Sequence, residues 1–220
     1  MLAYQELKRI RDIQVAHHAE VEVPDFPRIE KVVKVLCQRP SGKLLDVGYS
    51  QGSFADYMSE HGWECIGLDL NKHKDAKIRT IECDLNLGFP VETETFDALT
   101  AGEVIEHMID EESFLLECHR VLKKWGTLVL TTPNLAFSLN RLRVFMGSTP
   151  LFVYAPYHYH FHTRETITRL VKERGFDVEK VISSHVLYSR RKHATGLIFE
   201  WLGDLFPTFG AHLIIFAQKV

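Results

Sequence analysis

The chain lacks a Cys-x-x-Cys pair, a Gly-x-Gly-x-x-Gly loop, a Gly-Lys-Ser/Thr turn and any unbroken apolar run of membrane-spanning length. Each absence closes a class. The four cysteines, Cys37, Cys65, Cys83 and Cys118, are scattered, and three sit among apolar neighbours. That is the pattern of reduced thiols, not of a disulfide framework or a zinc site. The longest apolar stretch, Gly196 to Ala217, is interrupted by Glu200, Asp204, Pro207 and Gly210, too broken to cross a bilayer. The first twenty residues alternate charge with apolar positions, so no secretory signal is expected. An excess of one charge is missing too, with 26 Lys+Arg against 29 Asp+Glu. A nucleic-acid partner is therefore not expected from charge. What remains is an expected cytoplasmic domain of 220 residues, 45% apolar, large enough to bury a core, with 12 histidines whose placement matters.

Apolar positions Leu7, Ile10 and Ile13 predict an amphipathic helix over about Tyr4 to Ala19, ended by the Val23-Pro-Asp-Phe-Pro27 segment. A second helix is predicted from Arg28 to Cys37. Strands follow at Lys43–Val47, Trp63–Leu68, Ile78–Cys83, Phe96–Thr100 and Gly126–Thr131. Between them stand helices over Phe54–His61, from about Glu103, and over Glu111–Leu122. Strands alternating with helices predict a parallel sheet covered on both faces, with ligands beyond the carboxyl ends of the strands. The rhythm breaks from Pro133 to Thr163, a segment long enough to be a lid over a binding site. It resumes with a helix at Arg164–Arg174, a strand at Phe176–Ile182 and a last strand at Ala211–Gln218.

The first strand runs into Asp46-Val-Gly48-Tyr-Ser50-Gln-Gly52, where glycine admits close backbone approach to a ligand. The second ends in Asp69-Leu70, and Asp84-Leu85 follow the third. The fourth gives Phe96-Asp-Ala-Leu-Thr-Ala-Gly-Glu-Val-Ile-Glu-His107, and the fifth is Val121-Leu-Lys-Lys-Trp-Gly-Thr-Leu-Val-Leu-Thr-Thr-Pro-Asn134. In this order the segments resemble the class I S-adenosylmethionine-dependent methyltransferases, in the ubiquinone-biosynthesis O-methyltransferase-like branch. Ser50 stands where the family has its middle glycine, and Lys124-Trp125 replace a proline and a glycine. The resemblance implies a doubly wound, Rossmann-like α/β sheet of seven mostly parallel strands. It implies N-terminal helices over 1–39, a cofactor-binding core over 40–133, an acceptor lid over 134–163 and the rest of the sheet over 164–220. It also implies S-adenosyl-L-methionine as cofactor, contacted by Asp46, Gly48, Tyr49, Ser50, Gly52, Asp69, Leu70, Asp84, Leu85 and Glu103, and a small-molecule methyl acceptor.

Glu103, Glu106 and His107 stand at i, i+3 and i+4, which on a helix places them on one face. No metal is expected as a requirement; were a divalent ion used, these three would hold it, as two carboxylates and an imidazole suit Mg²⁺ or Mn²⁺. His158, His160 and His162 alternate with aromatics, so an extended backbone puts them on one face of the lid. With His107 they are the expected catalytic residues, because neutral imidazole accepts a proton near working pH. Two other functions fit the same motifs: metal-assisted ribose methylation of RNA, and binding of the adenosyl group without catalysis. Leu197 to Phe206 is the expected place for a weak membrane-surface contact or a homodimer face.

Overall fold

A computed structural model describes residues 26–50, 53–71, 76–155, 157–186 and 194–220. The predicted helix at Tyr4–Ala19 and the glycine at position 52 lie outside them. The elements are α1 (Phe26–Leu36), β1 (Lys43–Val47), α2 (Ser53–Glu60), β2 (Glu64–Asp69), β3 (Arg79–Glu82), β4 (Phe96–Gly102), α3 (Glu111–Val121) and β5 (Leu122–Pro133). They continue with α4 (Ser138–Phe145), α5 (Arg164–Glu173), β6 (Phe176–Ser183), α6 (Ala194–Leu205) and β7 (His212–Lys219). The strands form one sheet in the order β3-β2-β1-β4-β5-β7-β6. Every pairing is parallel except those of β7, which runs antiparallel to both β5 and β6. This is the expected seven-stranded, doubly wound sheet.

Helices cover both faces because the inner strands are apolar on both sides. All but the first residue of β1 are buried, as expected for a parallel strand covered twice. Along β7 the side chains alternate: Leu213, Ile215 and Ala217 join the layer under α3 and α5, while Ile214 and Phe216 join the layer under α1 and α2. Asp110 starts α3 by accepting from the main-chain N–H groups of Glu112 and Ser113, and Thr163 with Thr166 forms a reciprocal cap on α5.

Two features of this order place the site. The chain leaves β1 outward through β2 and β3, then returns to β4 on the other side, so a crevice opens at the carboxyl ends of β1 and β4. The reversal of β7 brings its first residue, His212, opposite Pro133 at the same edge.

Three local expectations are corrected. No α-helix starts at Glu103, which instead takes a left-handed φ of 56° before a single 3₁₀ turn at Ile105–His107. The fifth strand begins at Leu122, not Gly126, because Leu122 already pairs with Phe96. The lid contains a short helix, α4, and is irregular on either side of it.

Candidate active site

The loop after β1 is held to β2 by main-chain bonds from Gly48 and Tyr49 to the Leu68 carbonyl. Gly48 has φ +78°, and a Cβ there would stand 2.5 Å from Val104 Cγ2, so no other residue fits without moving the β4 loop. Ser50 takes φ +49° in the position of the family's glycine. Its N–H donates to Asp69 Oδ2 at 2.8 Å, and the Asn71 N–H donates to Oδ1 at 2.8 Å. Tyr49 is buried with its hydroxyl on Asp56 at 2.9 Å. Asp84 accepts from the Asn86 N–H and caps the turn that starts at Leu85. Asp46, Asp69 and Leu70 thus lie along the carboxyl ends of β1 and β2, with Asp84 and Leu85 just past β3.

Asp46 is 7% exposed and accepts from Thr100 Oγ1 at 2.6 Å. Burial pushes its carboxyl up to about 7, helped by the charge of Asp69 and opposed by the Thr100 bond and the Arg28 guanidinium. A carboxyl in that state ionises readily once a cation arrives.

Beyond β4 the two glutamates part company, which corrects the single helical face expected for Glu103, Glu106 and His107. Glu103 turns toward β5 and β7: Thr131 Oγ1 donates to its Oε1 at 2.8 Å, and His212 Nε2 lies 3.7 Å from its Oε2. Glu106 points inward and is 1% exposed. Thr132 Oγ1 donates to its Oε2 at 3.2 Å, while its buried Oε1 has no hydrogen-bond partner among the described residues. Burial, and then the neighbouring Glu103 charge, raises the Glu106 carboxyl well above the usual carboxylate range.

The lid supplies the imidazoles, but not as one row. His158 meets His107 edge to face, with ring centroids 4.7 Å apart. Glu106, His107 and His158 offer ligand atoms within 4.8 Å of one another. His107 Nδ1 lies 3.0 Å from the Tyr157 carbonyl oxygen. A carbonyl only accepts, so this nitrogen carries the hydrogen and the neutral ring keeps its lone pair on Nε2. His160 and His162 go elsewhere: both face Glu111 Oε2 at the start of α3, at 3.4 and 3.1 Å. There they latch the lid to the start of α3. The Glu106 carbonyl accepts from the Tyr159 and His160 N–H groups, a second tie between lid and β4 loop.

Two residues at this edge have no motif to announce them. Arg28 reaches from α1 across Gly102, where a Cβ would stand 2.7 Å from its Nη1, and donates from Nη1 to Thr131 Oγ1 at 3.0 Å. His212 arrives from the far end of the chain. Only the reversal of β7 brings it beside Glu103, and a histidine opening a late strand gives no local sign of that.

The model of the methyltransferase domain family matches residues 16–181. A probable S-adenosylmethionine-dependent methyltransferase of Mycolicibacterium smegmatis is 32% identical over 169 residues, covering 71% of this chain and 61% of that protein. The human mitochondrial ubiquinone biosynthesis O-methyltransferase is 32% identical over 161 residues, covering 64% of this chain and 42% of that one. The chain thus spans less than two thirds of the length of these relatives. In fold it is similar to the Burkholderia thailandensis 1,6-didemethyltoxoflavin-N1-methyltransferase, solved with S-adenosylhomocysteine, at a TM-score of 0.69 and 16% identity over 100% of this chain and 92% of that one. With the family model matching most of the chain, and the sheet order, the β1 loop and the β4 turn in agreement, the chain belongs to the methyltransferase domain family.

Proposed function

We propose that the chain is an S-adenosylmethionine-dependent methyltransferase acting on an oxygen of a small molecule. The observation that carries this reading is the meeting, along one sheet edge, of the Asp46–Asp69 loops with buried carboxyl and imidazole groups on the acceptor side. The residues fit the cofactor chemically. Asp69, at the carboxyl end of β2, accepts main-chain N–H groups on both oxygens, and a carboxylate there is the acceptor a ribose hydroxyl needs. Asp46, poised near 7, suits an ammonium, and the Arg28 guanidinium, whose Nε lies 3.8 Å from Glu103 Oε1, brings positive charge to the same edge for a carboxylate. Those are the two charges at the amino-acid end of the cofactor. When bound, the cofactor supplies a methyl group already activated on a sulfonium. The chain then has to align the acceptor, exclude water and receive the acceptor's proton. The lid tie at Tyr159 and the Glu111 latch serve the exclusion of water, with Glu103, Glu106, His107 and His158 on the acceptor side.

Calorimetry with S-adenosylmethionine, S-adenosylhomocysteine and NAD tests the cofactor assignment. Binding of the first two and not the third is expected, and NAD binding alone would overturn it. Cell extract incubated with methyl-labelled cofactor and read by mass spectrometry tests the transfer itself.

A second reading adds a divalent cation held by Glu106, His107 and His158. It is favoured by Glu106 Oε1, buried and without a hydrogen-bond partner among the described residues, in a group whose ligand atoms lie within 4.8 Å of one another. One carboxylate and two imidazoles are a donor set used for transition metals. A thermal shift with Mn²⁺, absent in Glu106→Gln, supports it; full turnover in excess chelator removes it.

A further inference from the structure

The lid turns one side to the site and another to water, and the outer side is unusually apolar. Leu142 and Phe145 of α4 and Met146 just past it are exposed, Phe145 to 88%. Phe145 is i+4 to Arg141 and i+3 to Leu142, so the three share one side of the helix. In α6, Ile198, Trp201 and Leu205 are exposed at i, i+3 and i+7, a single outward stripe, with Phe206 and Phe209 exposed just beyond it. Arg141 joins the two regions. Its Cζ stands 4.6 Å over the Phe209 ring, and its Nη2 lies 3.4 Å from the Thr208 carbonyl oxygen. The helix of the lid and the turn that leaves α6 are therefore neighbours on one surface.

That surface carries one sign of charge. The sequence has no Asp or Glu between Glu117 and Glu165. Arg141 and Arg143 donate from Nε to the main-chain carbonyls of Ala136 and Thr149, and among the described residues no carboxylate pairs with either. A carbonyl leaves the guanidinium charge whole. Of the two acids in α6, Asp204 is paired with Lys31 at 2.8 Å, and Glu200 falls outside the 198–201–205 stripe. Exposed aromatic and aliphatic groups beside unneutralised arginines complement a bilayer interface that contains anionic lipid. They do not complement a second copy of themselves, since a twofold contact brings the same uncompensated charge from both sides. The whole chain has a net charge of -3, so the attraction belongs to this face alone.

We propose that the outer face of the lid and the exposed stripe of α6 dock the protein on an anionic membrane surface. Phe145, Met146 and Trp201 enter the headgroup layer, and Arg141 and Arg143 meet lipid phosphates. The contact is made from one side, because among the described residues no helix is long and apolar enough to cross. It engages the same segment that closes the acceptor side, where the Tyr159 N–H is tied to the Glu106 carbonyl. Docking therefore holds the lid at the bilayer with the acceptor side behind it.

The full chain is floated with vesicles of phosphatidylcholine and phosphatidylserine in equal parts, and with vesicles of phosphatidylcholine alone. Partition onto the mixed vesicles is expected to exceed that onto the neutral ones by about tenfold or more, and to fall with added salt. Phe145→Ser with Met146→Ser should lower it about tenfold, and Arg141→Gln with Arg143→Gln should remove the preference for anionic lipid. Circular dichroism unchanged from the parent shows that these variants fold. Trp201→Phe should bind vesicles but lose the blue shift of tryptophan emission that binding causes, whereas Trp125→Phe should keep it. No partition of the parent onto mixed vesicles overturns the proposal, as do equal partition of the Phe145→Ser, Met146→Ser protein and a shift retained by Trp201→Phe. Binding to polyglutamate without vesicle binding gives the face to an acidic protein. A concentration-dependent dimer lost in the same variants, again without vesicle binding, gives it to a second copy. Either result overturns membrane docking. None of these measurements involves methyl transfer, so their failure leaves the transferase reading untouched.

Discussion

The two halves of the site are built in opposite ways. On the cofactor side most polar groups of the loops close on near neighbours in sequence, Ser50 to Asp69, Asn71 to Asp69, Asn86 to Asp84 and Tyr49 to Asp56, with the bond of Thr100 to Asp46 the long-range exception. On the acceptor side the partners are distant: Glu103 with Thr131 and His212, Glu106 with Thr132 and His158, Glu111 with His162. The near half is fixed by loop geometry. The far half depends on strand order and on a lid closing, and there the Glu106 carboxyl is most strongly withdrawn from water. The difference teaches that a local motif can specify where a cofactor lies while the chemistry beside it is assembled by topology.

The largest effect is expected at Glu106. Glu106→Ala should lower turnover by about 10²-fold or more, the reach of a positioned acid–base or cation-holding group, with cofactor affinity by calorimetry within a few-fold. If affinity falls instead with turnover, the two halves are not separate.

Asp69→Ala comes next, and breaks the comparison from the other side. Removing the carboxylate should cost about 1.5–3 kcal/mol of cofactor affinity, roughly 10- to 150-fold. An unchanged dissociation constant would remove Asp69 from the ribose site.

A smaller effect follows from Asp46. Its carboxyl titrates near 7, raised chiefly by burial, and a cationic ligand prefers the ionised form. Cofactor affinity should therefore rise with pH, by at most about tenfold per unit, and level off above 7. Asp46→Asn should bind weakly with no such slope. Ligand-free stability runs the other way. A carboxyl raised on folding favours the native state fully below its unfolded value of 3.8, and the benefit is lost as pH climbs through 7.

The smallest effects are expected at His160 and His162. Burial works to raise the Glu111 carboxyl, and the contact and charge of His162, with the charge of His160, outweigh it, so the net direction is down. Alanine at either position should change turnover less than about tenfold and speed proteolytic cutting of the 146–163 segment. His158→Ala, beside His107, should cost more turnover than either. Equal losses from all three would restore the single row of histidines.

Much of this was legible in the residues. The strands, their alternation with helices and the loop at Asp46–Ser50 follow from short patterns of burial and turn chemistry, and the helix predicted at Arg28–Cys37 lies within two residues of α1. The spacing of Glu103, Glu106 and His107 misled for a physical reason. Periodicity registers which residues would share a helix, and it is blind to a left-handed residue at 103 that ends the strand without starting one. Trp125, at φ +64° where the family has glycine, is a similar case: the turn is kept by tertiary pairing of Phe96 with Leu122 despite a residue that disfavours it. In the segment expected to meet a membrane or a second copy, Ile198, Trp201, Leu205 and Phe206 are exposed, and among the described residues no helix is long and apolar enough to cross a membrane.

By itself, then, the sequence determined the sheet, its covering helices and the carboxylates at the ends of β1, β2 and β3. Each of these depends on contacts within a few residues or on a repeated apolar pattern that any register of the chain must bury. The tertiary structure alone decided that Glu103 looks to His212, that Glu106 looks to His107 and His158, and that Glu111 takes the other two lid histidines. Apart from the adjacent Glu106 and His107, these are pairings between distant parts of the chain, set by the reversal of β7 and the closure of the lid. No local spacing encodes them, because which distant side chains share a buried edge depends on strand order, not on their neighbours in the chain.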